Sequence, residues 1–303
     1  MKTALFVGLA IFTLGYLYVW IRQINRTRRL SGAAGEVRAP SPLDVAIGFF
    51  ANFLDTLGVG SFATTSSLYK LGRLVPDEQI PGTLNVGHTL PTVAEAFIYM
   101  AIVQVDVTTL VAMIAASTVG AWLGAGVVSG WPRRNIQIGM GTVLIAAATV
   151  IVLKQMHWMP GGGQAIGLTG TRLIVGVLGN ALLGALMTLG IGLFAPCMIL
   201  IALLGMNPLT AFPIMMGSCA FLMPVGSARF VRTGSYNLKA ALGLAIGGVP
   251  GVLLAAYVVK SLPLSAVNWL VVAVVVYTAA MMLRSAQRER GASQLVAAEA
   301  SGD

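Results

Sequence analysis

The octapeptide Thr56-Leu57-Gly58-Val59-Gly60-Ser61-Phe62-Ala63 returns later in the chain as Thr188-Leu189-Gly190-Ile191-Gly192-Leu193-Phe194-Ala195. Both copies lie inside long apolar runs, where paired glycines weaken a helix and no local turn chemistry accounts for them. Backbone freed at such a break has to be satisfied by protein, water or ligand wherever the surroundings are hydrocarbon. Breaks at corresponding points of two halves are the sequence mark of a transporter that binds its cargo where the broken helices meet.

Composition sets those surroundings. The chain is 57% hydrophobic and only 10% charged, against roughly 25% charged for an ordinary soluble domain, and its mean hydropathy is +0.85. Apolar segments follow one another at 44–70, 80–101, 107–129, 135–153, 173–204, 209–231, 237–259 and 263–283, most of them near the ~20 residues that a spanning helix needs. The expected fold is an all-α polytopic membrane protein. The formal charge of +9 resides in short loops between apolar runs, the footprint of the positive-inside rule and not of a nucleic-acid surface.

The expected organisation is an N-terminal anchor helix over 1–22, a basic cytoplasmic linker over 23–43, and a first membrane repeat over 44–154. An inter-repeat loop at 155–172, a second repeat over 173–284 and a cytoplasmic tail at 285–303 complete it. Arg22, Arg26, Arg28 and Arg29 behind the first apolar run act as a stop-transfer flank, which favours a retained anchor over a cleaved signal peptide. Thr56 and Thr188, Pro91 and Pro224, and Gly120 and Gly251 are all separated by about 132 residues. An offset this steady across three helices points to two homologous four-segment repeats. The broken first segment of each repeat either crosses the bilayer or re-enters as a hairpin, and the second arrangement makes the repeats antiparallel. It also moves Lys70, Arg73, Arg133 and Arg134 to the cytoplasmic side, for a larger Lys/Arg excess there. Both arrangements put the N-terminus outside and the C-terminus inside. Glycines four residues apart, Gly120/Gly124 and Gly243/Gly247/Gly251, are expected to let helices of one chain pack closely.

Candidate substrate ligands cluster at the breaks. Thr56, Gly58, Gly60, Ser61, Thr64 and Thr65 form the first set, with the helix that resumes near Ser61 offering its positive N-terminal end to an anion. Thr188, Gly190 and Gly192 form the second, and Pro196 suits the first turn of a helix starting after them. Ser218 and Cys219 lie on the helix that follows. Asp55 and Glu95 are the two carboxylates deep in apolar runs, a position that marks functional candidates. Asn52 lies one turn before Asp55. Asn85, His88, Thr92, Glu95 and Tyr99 recur at steps of three or four, one polar stripe on a helix. Asp55, Asn85, His88 and Glu95 are therefore read either as proton or ion coupling residues or as a static hydrogen-bonded seam. Arg229 and Arg232 attract an anion to a cytoplasmic mouth or snorkel to the interface. Cys197 and Cys219 have no CxxC or histidine spacing, so neither a disulfide nor a metal site is expected. No P-loop lysine, HExxH or GxSxG elbow is present, which speaks against an enzyme and against a cofactor.

Over about 44–284 the chain resembles the TauE/SafE family of sulfite-exporter-like permeases. The resemblance rests on the glycine-rich break early in each half, on Pro81-Gly82-Thr83, on the acidic loop Val105-Asp106-Val107, and on the small-residue helix Gly120 to Gly126. At the breaks the family's richer glycine run is replaced by Ser61 and Leu193. The resemblance implies a secondary permease for sulfur-containing anions such as sulfite or sulfonates. A bacterial inner membrane is the expected location, and the buried carboxylates Asp55 and Glu95, with His88, make protons the candidate coupling ion. A passive anion channel and a non-transporting assembly or scaffold component are the rival readings. Oligomeric state, substrate identity and direction of transport are not legible.

Overall fold

The computed structural model describes residues 2–31, 39–57, 60–76, 79–128, 163–187 and 193–261, with scattered positions between 138 and 156 and between 266 and 287. The segments expected at 135–153 and 263–283 and the tail thus lie mostly outside the described residues, as do Gly58, Thr188, Gly190 and Gly192.

Among the described residues there is no strand beyond one isolated bridge between Ala165 and Met206. The helices are α1 (Lys2–Ser31), α2 (Pro42–Thr56), α3 (Ser61–Gly72), α4 (Ile80–Ile102), α5 (Val107–Val128), α6 (Gly170–Met187), α7 (Phe194–Leu203), α8 (Ala211–Thr233) and α9 (Leu238–Ser261). The first long segment is interrupted between Thr56 and Ser61. In the second, α6 ends at Met187 and α7 starts at Phe194, on either side of a glycine pair that is not among the described residues. Two boundaries differ from the sequence expectation. The first helix continues through the basic flank to Ser31, because arginines end an apolar stretch without ending a helix. Helix α6 begins at Gly170, so Arg172 belongs to its first turn and not to a loop. Asp106 lies in the expected loop, where it accepts from the Thr109 amide at 2.8 Å and caps α5.

Helix α2 starts sharply. Ser41 and Asp44 form a reciprocal capping box and Pro42 opens the first turn. After the break, α3 folds back along α2, so that Tyr69 near its end packs with Ile47 near the start of α2 and with Ile80 and Leu84 of α4. The same reversal joins α6 to α7, where Gly179 faces Leu200 and Gly176 faces Leu204. The α2–α3 hairpin then lies against α9, and the α6–α7 hairpin against α5. Helix α2 runs parallel to α9, with Asp44 at Gly243, Val45 at Gly247 and Phe49 at Gly251, while α6 runs parallel to α5, with Gly176 at Met113 and Gly184 at Ser117. Helices α4 and α8 cross the centre antiparallel, joined by Thr89 to Ser227 at 2.9 Å and by the stacked rings of Tyr99 and Phe212.

Helix α1 lies along α8, with Phe12 against Phe221 near one end and Trp20 bonded to Tyr236 near the other. Four helical stretches are long and apolar enough to cross a membrane, Thr3–Arg26, Gly170–Met187, Pro208–Thr233 and Leu238–Val258, among the described residues. The outer faces are apolar, with Leu14, Trp122, Leu178 and Tyr257 exposed, whereas Asn52, His88, Glu95 and Asn180 are buried completely. That inversion suits lipid outside and polar groups within.

The glycine seams join helices of one chain, as expected for Gly120 and for Gly243, Gly247 and Gly251. A Cβ added at Gly247 would fall inside the Val45 carbonyl oxygen, whereas one at Gly15 meets nothing within 4 Å. Gly247→Ala is expected to lower stability by about 1–3 kcal/mol through overpacking. Gly15→Ala is expected to be neutral or slightly stabilising. Heating both variants in detergent and following the monodisperse peak by size exclusion checks the contrast, and equal melting would contradict the α2–α9 approach.

Candidate functional site

The first break is closed by the chain's own side chains. Leu57 ends α2 and the backbone passes through Gly60 at φ +88°, a conformation natural to glycine and costly for other residues. The Asp55 carboxylate then reaches forward to the start of α3. Its Oδ1 accepts from the Ser61 amide at 3.0 Å and its Oδ2 from the Ser61 hydroxyl at 2.6 Å. The positive end of α3, read from sequence as open to an anion, is thus covered by an internal one.

Neighbouring hydroxyls are also engaged. Thr56 Oγ1 contacts both the Asn52 carbonyl oxygen at 2.7 Å and Glu95 Oε1 at 2.8 Å, donating its proton to one or the other. Thr65 Oγ1 lies 3.1 Å from His88 Nε2, and His88 Nδ1 lies 2.9 Å from Asn52 Oδ1. Asn52 Nδ2 donates to the Gly48 carbonyl, so its Oδ1 is the acceptor and His88 Nδ1 carries a proton. The Tyr99 hydroxyl donates to the Thr56 carbonyl at 3.1 Å, a carbonyl near the end of α2 with no helical successor to bond. Thr64 donates back to Gly60 O at 3.3 Å. Helices α2, α3 and α4 are therefore tied together at the break.

The expected stripe on α4 divides. His88, Thr92, Glu95 and Tyr99 are buried and face this junction, but Asn85 is partly exposed and donates to Pro81 O of its own helix. It stands apart from the network, because a residue three positions before His88 has already left the buried sector. Glu95 Oε2 is buried and has no partner among the described residues.

In the second half Ser218 and Cys219 are buried on α8. Ser218 Oγ accepts from Asn180 Nδ2 at 3.2 Å, and the same amide nitrogen donates to Met113 O at 2.7 Å. The Cys219 thiol lies 3.7 Å from Met187 Sδ. Asn180 was missed at the sequence level. A lone amide in the apolar run 173–204 is a signal of the same kind as Asp55, and its Oδ1 also lacks a partner among the described residues. Pro196 is the third residue of α7, where a missing N–H costs nothing. The described residues hold no group of three or more His, Cys, Asp or Glu arranged for a metal ion, and both cysteines are free.

The match to known families decides the class. Residues 2–151 and 172–301 match the family described as sulfite exporter TauE/SafE. The chain belongs to the TauE/SafE family. TauE/SafE proteins are membrane transporters of sulfur anions and not enzymes, and this chain is a multi-pass membrane protein. The matched stretch is wider than the 44–284 expected from motifs, since it takes in α1 and reaches residue 301. No curated protein and no solved structure matches.

Asp55→Ala removes both acceptors from Ser61 and leaves a buried helix start uncovered, which is expected to cost about 1–3 kcal/mol. Amide exchange at residues 61–65 should accelerate in that variant, while Asp55→Asn, which keeps one acceptor, should change it less. Unaltered exchange in Asp55→Ala would show that the carboxylate does not hold the break.

Proposed function

We propose that this TauE/SafE chain is a secondary carrier for a small sulfur oxyanion or organosulfonate such as sulfite, bound where the two helix breaks meet. The observation that carries the reading is the Asp55 carboxylate on the Ser61 amide and hydroxyl. An anionic group held by a half-helix N-terminus inside a transporter of anions occupies the kind of place that the cargo needs. Protonation of Asp55 weakens its hold, and the substrate anion takes over the Ser61 donors. Thr56, Gly58, Gly60, Thr64 and Thr65 complete this half of the site. Thr188, Gly190, Gly192, Ser218 and Cys219 form the other half.

Glu95 is the second proton carrier. One of its oxygens is bonded to Thr56 and the other is free to take up a proton without breaking a contact. His88 is held between Asn52 and Thr65 and positions α3 against α4. Asn85 stands outside this relay and is the weakest member of the coupling set.

The pairs α2–α3 and α6–α7 are re-entrant hairpins of two inverted repeats. What supports this is that Asp44 at the start of α2 meets Gly243 and Gly82 of α4 meets Phe230 and Ser235, so α2, α4 and α9 begin, and α8 ends, at one face. The starts of α5 and α6 meet elsewhere, through Thr109 and Leu168. Arg22, Arg73, Arg229 and Arg232 fall at the first face, which is cytoplasmic by the positive-inside rule. The N-terminus is then outside and the C-terminus inside, in a bacterial inner membrane. A single cysteine replacing Arg133 in a cysteine-free background is expected to react only from the cytoplasmic side, and labelling from outside would return the repeats to a parallel arrangement.

Uptake of labelled sulfite into proteoliposomes, beside sulfate and an organosulfonate, tests the function. Saturable flux that a pH gradient alters is expected. Organosulfonate binding, whose ligand keeps its charge, should strengthen on mild acidification in wild type and lose that dependence in Asp55→Asn, with Glu95→Gln folded but uncoupled. Unitary currents in place of saturable exchange would indicate a channel, and no flux of any of the three would remove the sulfur-anion assignment.

A further inference from the structure

A groove of about 600 Å³ runs between α1 and α8, away from the helix breaks. Its walls are apolar, formed by Gly15, Val19, Pro224, Val225 and Ala228, and at one end it is closed by Arg229, Arg232 and Thr233. Both helices belong to stretches long and apolar enough to cross a membrane, and Val225 is 60% exposed, so the apolar part of the groove opens on lipid.

Three observations define the occupant. Arg229 and Arg232 are three residues apart on one helix, which places both guanidinium groups on one side of α8. Neither α1 nor α8 contains an aspartate or glutamate, and among the described residues the ion pair formed is Lys239 with Asp44 and involves neither Arg229 nor Arg232, so both arginines are available to an outside anion. Trp20 Nε1 donates to the Tyr236 hydroxyl at 3.2 Å, beside the same end of the groove, and such a pair is the amphipathic ring signature of headgroup depth. Gly15 supplies the third. A mid-helix glycine costs about 1 kcal/mol relative to alanine, and in the α2–α9 and α5–α6 seams that cost accompanies close helix contact. At Gly15 an added Cβ would meet nothing within 4 Å, so the missing side chain serves the groove and no helix partner.

We propose that the α1–α8 groove is a binding site for an anionic phospholipid, with the phosphate on Arg229 and Arg232 and an acyl chain laid past Val19 and Val225 to Gly15. Basic pockets between spanning helices bind anionic headgroups because the field of two guanidinium groups adds to apolar burial of the tail. Bound there, the lipid fastens α1 to α8, and α8 carries Ser218 and Cys219 at its other end.

Binding of phosphatidylglycerol and phosphatidylcholine to the purified full-length protein in detergent, read by native mass spectrometry and by melting temperature, tests the site. Phosphatidylglycerol is expected to stay bound and to raise the melting temperature where phosphatidylcholine does not. The Arg229→Gln/Arg232→Gln double variant should bind it roughly thirtyfold more weakly. Gly15→Leu, which has room to fold, should keep its lipid-free melting temperature and lose most of the binding. Equal binding of the two lipids, full binding by either variant, or displacement by inorganic phosphate at matched concentration would overturn the proposal. The readout needs no transport, so a protein inactive toward sulfite that still retains phosphatidylglycerol leaves this site standing.

Discussion

A polar backbone group in a low-dielectric interior has to find a partner, and that requirement organises the centre of this protein. Where α2 stops and α3 begins, both helix ends expose unpaired groups. Asp55 supplies the acceptor for the Ser61 amide, and Tyr99 supplies a donor for the Thr56 carbonyl. These two bonds make a chain reversal tolerable among apolar helices. Once α3 returns along α2, Thr65 meets His88 and His88 meets Asn52. The polar stripe on α4 thus has its counterpart only because the chain turned back.

Close helix contact is the second constraint. Gly243, Gly247 and Gly251 bring α9 onto the backbone of α2, and Gly120 and Gly184 bring α5 onto α6. In lipid no hydrophobic driving force separates such helices from the solvent of acyl chains, so backbone proximity and the dispersion it permits hold them together. The α2–α3 hairpin is thereby gripped by α9 and the α6–α7 hairpin by α5.

Much was legible in the chain. The glycine pair at 58–60 located the break between α2 and α3, and the steps from His88 to Tyr99 identified one buried helix face. The four-residue glycine spacing marked seams internal to one chain. Family motifs were readable as well, although they underestimated how far the family match extends toward Lys2. Residues whose role depends on a distant partner were less legible. Asn85 looked like a member of the stripe yet bonds within its own helix, and Asn180 gave no periodic signal yet bridges α5 and α8. Ser61, Thr64 and Thr65 read as free donors, and each already has a protein partner.

Hydropathy, glycine placement and helical period are properties of neighbouring residues, so the sequence by itself determined that this is a helical membrane protein with two interrupted segments. It also determined which residue types lie at the interruptions. The occupant of the α3 N-terminus was decided by tertiary structure alone. Asp55 reaches Ser61 because the chain reverses through Gly60 in a left-handed conformation, and a carboxylate six residues away in sequence has no fixed distance until that turn is made. The same holds for the groove at Gly15. A glycine in an apolar helix reads as a packing position, and only the path of α8 beside it leaves that position open.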